Sequence, residues 1–283
     1  MKPKILIMLS ILMLTSLACS FTVNVPTIQT GPTETLTLNE AAPQDPKSET
    51  RITVEMGAGR LNITPGAEGL LGGTIQYNVP GWKPTVNRDG SRLEITQQAQ
   101  SKMRLPGDDL KNEWNLKLGQ YPLDLTIKAG AYNGTLDLSG VPITDLDITD
   151  GASSAKVVWK SANPVEMRQL FYKTGASEVS LTGLGYANFD ELRFEGGAGS
   201  YTLDFSGKLQ RDSQVKVNGG VSNIRIIIPE GTACSVEVNG GLKNVNTTGT
   251  WNTKDNVYKT LGKGPQLEIQ VDMGLGNLEL INE

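Results

Sequence analysis

A unit built on one glycine recurs along this chain and leaves few folds open to it. Its clearest copy is residues 215–228, Val-Lys-Val-Asn-Gly-Gly-Val-Ser-Asn-Ile-Arg-Ile-Ile-Ile. With Gly220 as zero, apolar residues stand five and three places before it (Val215, Val217) and one, four and six after it (Val221, Ile224, Ile226). The same ruler laid on Gly57 meets Ile52, Val54, Ala58, Leu61 and Ile63, and on Gly130 meets Leu125, Ile127, Ala131, Gly134 and Leu136. Gly151 gives Leu146, Ile148, Ala152, Ala155 and Val157, and Gly175 gives Leu170, Tyr172, Ala176, Val179 and Leu181. Gly197 gives Leu192, Phe194, Ala198, Tyr201 and Leu203, and Gly274 gives Ile269, Val271, Leu275, Leu278 and Leu280. Gly241 gives Val236, Val238, Leu242 and Val245, then a polar lapse at Thr247.

Alternation with period two is the signature of strands with one face inside. From Gly130 to Gly241 the glycines step by 21, 24, 22, 23 and 21 residues. A near-constant period carrying two strand patterns predicts an all-β, single-stranded β-solenoid with coils of about 21–24 residues. Each glycine is expected at a corner between two strands, where a residue without Cβ bends cheaply and lets coils approach. The four or five apolar places per coil are expected to point inward. The place two before each glycine reads Glu55, Lys128, Thr149, Lys173, Glu195, Asn218, Asn239 and Asp272, all polar and expected outside. At roughly 1.5–3 kcal/mol per buried aliphatic, such a core needs neither disulfide nor metal.

Residues 1–18 read as a signal peptide: Lys2 and Lys4, then an apolar run from Ile5 to Leu14 too short to span a bilayer. The segment ends Ser16-Leu17-Ala18-Cys19, which resembles a bacterial lipoprotein signal with Leu and Ser in the reverse of the usual order. Cys19 is then the lipidation site, and the membrane is a partner through that lipid. The alternative is an ordinary signal peptide that happens to contain a cysteine. Residues 19–49 are rich in Thr and Pro and read as a disordered tether, with Thr35–Leu38 as a candidate short first strand. The body divides into an N-terminal region at 50–140 and the C-terminal solenoid at 141–283. Residues 97–112 read as a polar surface loop. The irregular stretches 64–122 and 247–264 are expected to cover the solenoid's ends, which must be protected from edge pairing.

Composition removes several functions. The 283 residues carry a net charge of −4, with no basic face to meet phosphates, so no nucleic acid is expected. There is no histidine, hence neither the commonest general base nor the commonest transition-metal ligand. Cys234 falls on an inward line and reads as core. Asp108 and Asp109 sit in a polar loop beside Lys102, Arg104 and Lys111, and Asp145 with Asp147 alternates outward. Both pairs read as solvated surface, since a hard cation needs more oxygens than two. No catalytic residue, metal site or cofactor is expected. Trp114 and Trp159 read as core. Trp82, Trp251 and Tyr258 lie in loops and are the candidate surface-binding aromatics. Asp137-Leu-Ser139 and Asp204-Phe-Ser206, each followed by glycine, predict turns held by side-chain-to-backbone hydrogen bonds.

The run Asn112-Glu113-Trp114 to Pro122-Leu123-Asp124-Leu125, with Gly130-Ala131, Leu136-Asp137-Leu138-Ser139-Gly140, Gly175-Ala176, Gly183-Leu184-Gly185-Tyr186-Ala187-Asn188, Gly196-Gly197-Ala198-Gly199, Asp204-Phe205-Ser206-Gly207 and Gly274-Leu275-Gly276, resembles the toast-rack proteins. These are bacterial envelope proteins related to adhesin-like proteins and to the C-terminal part of LiaF-type envelope-stress proteins. The resemblance covers residues 50–283 and implies a stacked-strand β structure with no catalytic motif to carry over. The expected function is that of a non-enzymatic cell-envelope lipoprotein, extracytoplasmic and lipid-anchored. It would be adhesin-like or associated with envelope stress, with an envelope protein or polysaccharide as partner. The alternative is a carbohydrate-active β-helix enzyme, a lyase or hydrolase.

Overall fold

The computed structural model describes residues 29–97 and 110–283. The alternating stretches are strands throughout. Before the regular coils come β1 (Glu34–Glu40), β2 (Thr50–Pro65), β3 (Leu71–Tyr77), β4 (Thr85–Asp89), β5 (Arg92–Thr96) and β6 (Asn112–Leu118). Then follow β7 (Leu123–Asp137), β8 (Ile143–Val158), β9 (Met167–Thr182), β10 (Phe189–Asp204) and β11 (Ser213–Ile228). The chain closes with β12 (Ala233–Thr248), β13 (Asn252–Lys254), β14 (Val257–Thr260) and β15 (Gln266–Asn282).

All fifteen strands belong to one sheet, and its spine is a parallel, in-register stack: β2-β7-β8-β9-β10-β11-β15-β12. Each stacked strand carries a corner glycine partway along, and it is one strand that runs through the corner, not two strands that meet there. The ladder to neighbouring coils continues on both sides of it: Met56 pairs with Ala129 and Ala58 with Ala131 around Gly57 and Gly130. We call the part before the glycine the first leg and the part after it the second. Buried side chains of both legs, such as Ile52, Val54, Leu61 and Ile63, form one continuous core. The predicted turns are present. The Ser139 amide donates to Asp137 Oδ1 at 3.1 Å and the Ser206 amide to Asp204 Oδ1 at 2.8 Å.

The 73 residues from Gly57 to Gly130 are not three coils. They supply one coil broken in two, β5 on the first leg of β2 and β6 on its second, with an antiparallel cover outside. In that cover β4 pairs with β5, β3 with β6 and β1 with β3. Two expectations are corrected here. The tether reading of 19–49 fails at Glu34–Glu40, because Thr35, Leu36, Thr37 and Leu38 alternate well enough to join β3; residues 19–28 lie outside the described residues. The reading of 97–112 as surface loop fails at its ends. Gln97 and Asn112 are buried, and the Asn112 amide donates to Gln97 Oε1 at 3.0 Å. Gln97 Oε1 also accepts the Gly57 amide proton at 3.0 Å, so this amide pair stands where the broken coil has no corner of its own.

At the other end the stacking order departs from the chain order. The C-terminal strand β15 lies between β11 and β12, with Val221 opposite Leu275 and Leu275 opposite Leu242. The long stretch after β12 forms β13 and β14, and β14 pairs antiparallel with the first leg of β12 over Cys234–Glu237.

Candidate binding groove

At each corner two consecutive residues face outward, so the inward parity flips. Before the glycine the third and fifth places are buried; after it the fourth and sixth are buried, except at half-buried Gly134 and in the last coil, where Val245 is half-buried and Thr247 exposed. The place immediately after the glycine is therefore on the surface, which corrects its expected inward direction. Ala58, Ala131, Ala152, Ala176 and Ala198 are exposed, as are Val221 (61%) and Leu275 (47%). The parity flip turns the strand, and only a strand that turns can close its two legs on one core.

The eight glycines of the ruler stack in one column, in the order Gly57, Gly130, Gly151, Gly175, Gly197, Gly220, Gly274, Gly241. A Cβ on Gly130, Gly151, Gly175, Gly197, Gly220 or Gly274 would lie 2.4–2.7 Å from the carbonyl oxygen of the glycine before it in that order, and one on Gly241 would lie 2.9 Å from the oxygen of Gly274. The coils approach closely because that atom is absent. The result is a floor of bare backbone. Beside it runs the polar row, whose members are exposed or half-buried as expected. Lys128 pairs with Glu55 at 2.8 Å and Lys173 with Glu195 at 3.3 Å, while Arg193 reaches Glu195 at 2.6 Å. Burial pushes the Glu195 carboxyl up, but Lys173 and Arg193 outweigh it and hold the group below its ordinary range. On the other side of the floor runs the exposed apolar row. Two depressions lie on the floor, of about 540 Å³ around Gly57, Gly130 and Gly151 and about 380 Å³ around Gly197 and Gly220. Seven strand-to-strand steps of about 4.8 Å make the whole groove about 34 Å long.

Beneath the floor the corner interior carries a polar seam that the ruler did not mark. Asp150, buried, accepts from Tyr172 Oη at 2.9 Å and Ser153 Oγ at 3.0 Å on one oxygen, and from Thr174 Oγ1 and Ser177 Oγ on the other. Tyr172 Oη lies 3.2 Å from Tyr132 Oη, and burial pushes both phenols up. Farther along, the Tyr201 and Ser222 hydroxyls are buried without a protein partner. Four neutral donors saturate the carboxylate, so Asp150 is a fastening between β8 and β9. The available signal was the place just before each corner glycine: Asp150 and Thr174 interrupt a column that otherwise reads Met56, Ala129, Gly196, Gly219, Met273 and Gly240.

The other sequence candidates are scattered. Trp82 is half-buried at the N-terminal end, its carbonyl accepting from Gln97 Nε2 at 2.9 Å. Trp251 and Tyr258 are half-buried at the opposite end and pack against the core; Trp251 Nε1 donates to the Thr248 carbonyl at 3.0 Å. The three aromatics form no common site. Trp114 and Trp159 are core. Cys234 is buried, and burial pushes its thiol up to about 12. Asp145 pairs with Arg168, which also meets Glu49 at 2.9 Å; burial outweighs Arg168 and holds the Asp145 carboxyl above its ordinary range. Asp147 accepts from Thr149 Oγ1 at 3.3 Å. Cys19, Asp108 and Asp109 lie outside the described residues. Among the described residues no group of three or more His, Cys, Asp or Glu converges as metal ligands.

Compared with known proteins, the chain matches the family model for the N-terminal domain of toast_rack (DUF2154) over residues 29–168 and 162–227. Among solved structures it is similar to a "putative cell adhesion protein" from Clostridium sporogenes, 20% identical, over 89% of this chain and 99% of that one, with a TM-score of 0.49. A "putative adhesin" from Bacteroides fragilis is 11% identical over 88% of this chain and 97% of its own, with a TM-score of 0.47. A "putative lipid binding protein" from Parabacteroides distasonis is 10% identical over the same shares, 88% and 97%, with a TM-score of 0.38. No curated protein matches the chain.

Proposed function

The chain belongs to the toast-rack family, and on that footing we propose that it is a non-enzymatic, adhesin-like binding module of the cell envelope, held at a membrane face by a lipid on Cys19. The observation that carries the reading is the continuous glycine-floored groove across eight coils. It runs across the strands, so its backbone groups are already spent within the sheet and offer a peptide no ladder to join. Its wall offers charged groups that hydrogen-bond hydroxyls, and its other margin offers methyl groups. Those features fit an extended envelope polysaccharide. Support for the absence of catalysis is that Asp145 and Asp124 are engaged by arginines and Asp150 by hydroxyls. Support for the anchor is the sequence before Cys19.

The test uses the full chain against a panel of acidic and neutral polysaccharides. Binding is expected without new reducing ends or unsaturated products. Ala152→Arg with Ala176→Arg, both on the exposed row, should weaken binding tenfold or more while the melting temperature stays put. Undiminished binding in that double variant would remove the groove from the account, and a cleaved product would favour the enzyme reading. In cells, Cys19→Ala should lose lipid label and leave the membrane fraction.

A further inference from the structure

One edge of the stack is left open. The first leg of β12 is covered by β14, but that pairing ends at Glu237. Beyond Gly241 the second leg, Leu242–Thr248, pairs with β15 alone, and no described strand lies on its other side. Edge strands elsewhere carry charges that discourage pairing: Glu34 and Glu40 in β1, Arg88 and Asp89 in β4, Lys254 in β13. The second leg of β12 carries one charge, Lys243, next to its corner, and residues 244–248, Asn-Val-Asn-Thr-Thr, carry none.

The core is open at the same place. Val245 and Thr247 occupy the register of Leu278 and Leu280, which are wholly buried one coil inward, yet Val245 is half-buried and Thr247 exposed. The polar lapse at Thr247 is thus an inward position that meets solvent. Two large apolar residues of the exposed corner row, Val221 on β11 and Leu275 on β15, stand opposite each other, two strands and one strand in from this edge.

We propose that this edge is the interface with a second copy of the same chain, the two second legs pairing antiparallel about a twofold axis at Val245. Symmetry makes the pattern self-complementary. Val245 then faces Val245 on the core side, Asn244 faces Asn246 on the outer side, and Lys243 falls opposite Thr247 instead of its own copy. The antiparallel sense is also what the fold permits. A parallel partner would bring its own first leg onto the place that β14 occupies, whereas an antiparallel partner's first leg runs away from that hairpin. The two open cores become one, and the sheet continues from copy to copy.

The experiment uses the full chain in a Cys19→Ala background, so that the one other native thiol is the buried Cys234. Light scattering should give twice the chain mass of 30.4 kDa. Val245→Cys should form a disulfide-linked dimer under mild oxidation, since directly opposed antiparallel residues lie within disulfide reach. Thr247→Cys should not link to itself. Val245→Lys places like charges on the axis and should shift the protein to monomer, while Val245→Thr keeps the dimer and controls for folding. Monomer mass at every concentration, absence of the Val245→Cys link, or equal linking by Thr247→Cys would each overturn the proposal.

Discussion

At the scale of the residue, one missing atom sets the spacing of the coils. A methyl group on Gly175 would lie 2.4 Å from the Gly151 carbonyl oxygen, and backbone on both sides leaves nothing free to move aside. Gly175→Ala should therefore cost about 1–3 kcal/mol, the usual penalty of overpacking, as read by urea unfolding. Ala176→Ser, one residue on but exposed, should stay within about 0.5 kcal/mol of the parent. The contrast separates a corner glycine from its surface neighbour, two columns that look alike in the sequence because both hold small residues. Cys234 gives a second prediction. Burial lifts its thiol from an ordinary 9.0 to about 12, so the folded state favours the neutral form. Its contribution is complete below pH 9 and is lost as pH rises from there toward 12, where only the unfolded chain ionises. In a Cys19→Ala background a thiol reagent at pH 8 should label Cys234 no faster than the protein unfolds; rapid labelling would show that the site is open.

At the scale of the element, strand existence and inward direction were plain from period two, and the coil length from the glycine spacing. The flip of parity at each corner was not, because an apolar residue after the glycine looks the same whether it is core or ridge. Nor was the broken coil at β5 and β6 visible, since the place of its missing corner is taken by Gln97 and Asn112, polar residues that read as loop until they are seen bonded to each other. Of the candidate site, the glycines were legible as a repeat but not as the floor of a groove, which exists only once the coils are stacked. The insertion of β15 also leaves no local trace: its pattern fits next to Gly220 or Gly241 equally well. A chain ending at Pro265 tests that insertion. Without β15, β11 keeps β10 but loses its partner on the other side over Ser213–Ile228, and β12 has no parallel neighbour to hold it. Limited proteolysis should then remove residues beyond 228 while a core from β2 to β11 persists. Retention of β12 would mean that it can close directly on β11.

At the scale of the whole molecule, stability is shared along a stack in which each coil meets chiefly its neighbours. Ion pairs between coils, such as Lys128–Glu55, Lys216–Glu191 and Arg225–Glu279, lie on the outer faces and are largely exposed, so they fix partners more than they add strength. The order of assembly is another matter. The strand that belongs beside β11 is made after β12, β13 and β14, and its last residue, Asn282, lies 54 residues beyond the end of β11 at Ile228. At a synthesis rate of roughly 5–20 residues per second, that place waits about 3–11 seconds for its occupant. During the wait the exposed flank of β11 must be kept from the wrong strand, including the newly emerged β12, whose inward pattern would fit it. The finished molecule therefore depends on a vacancy being held open in time, and an early stop in translation yields a chain that cannot fill it.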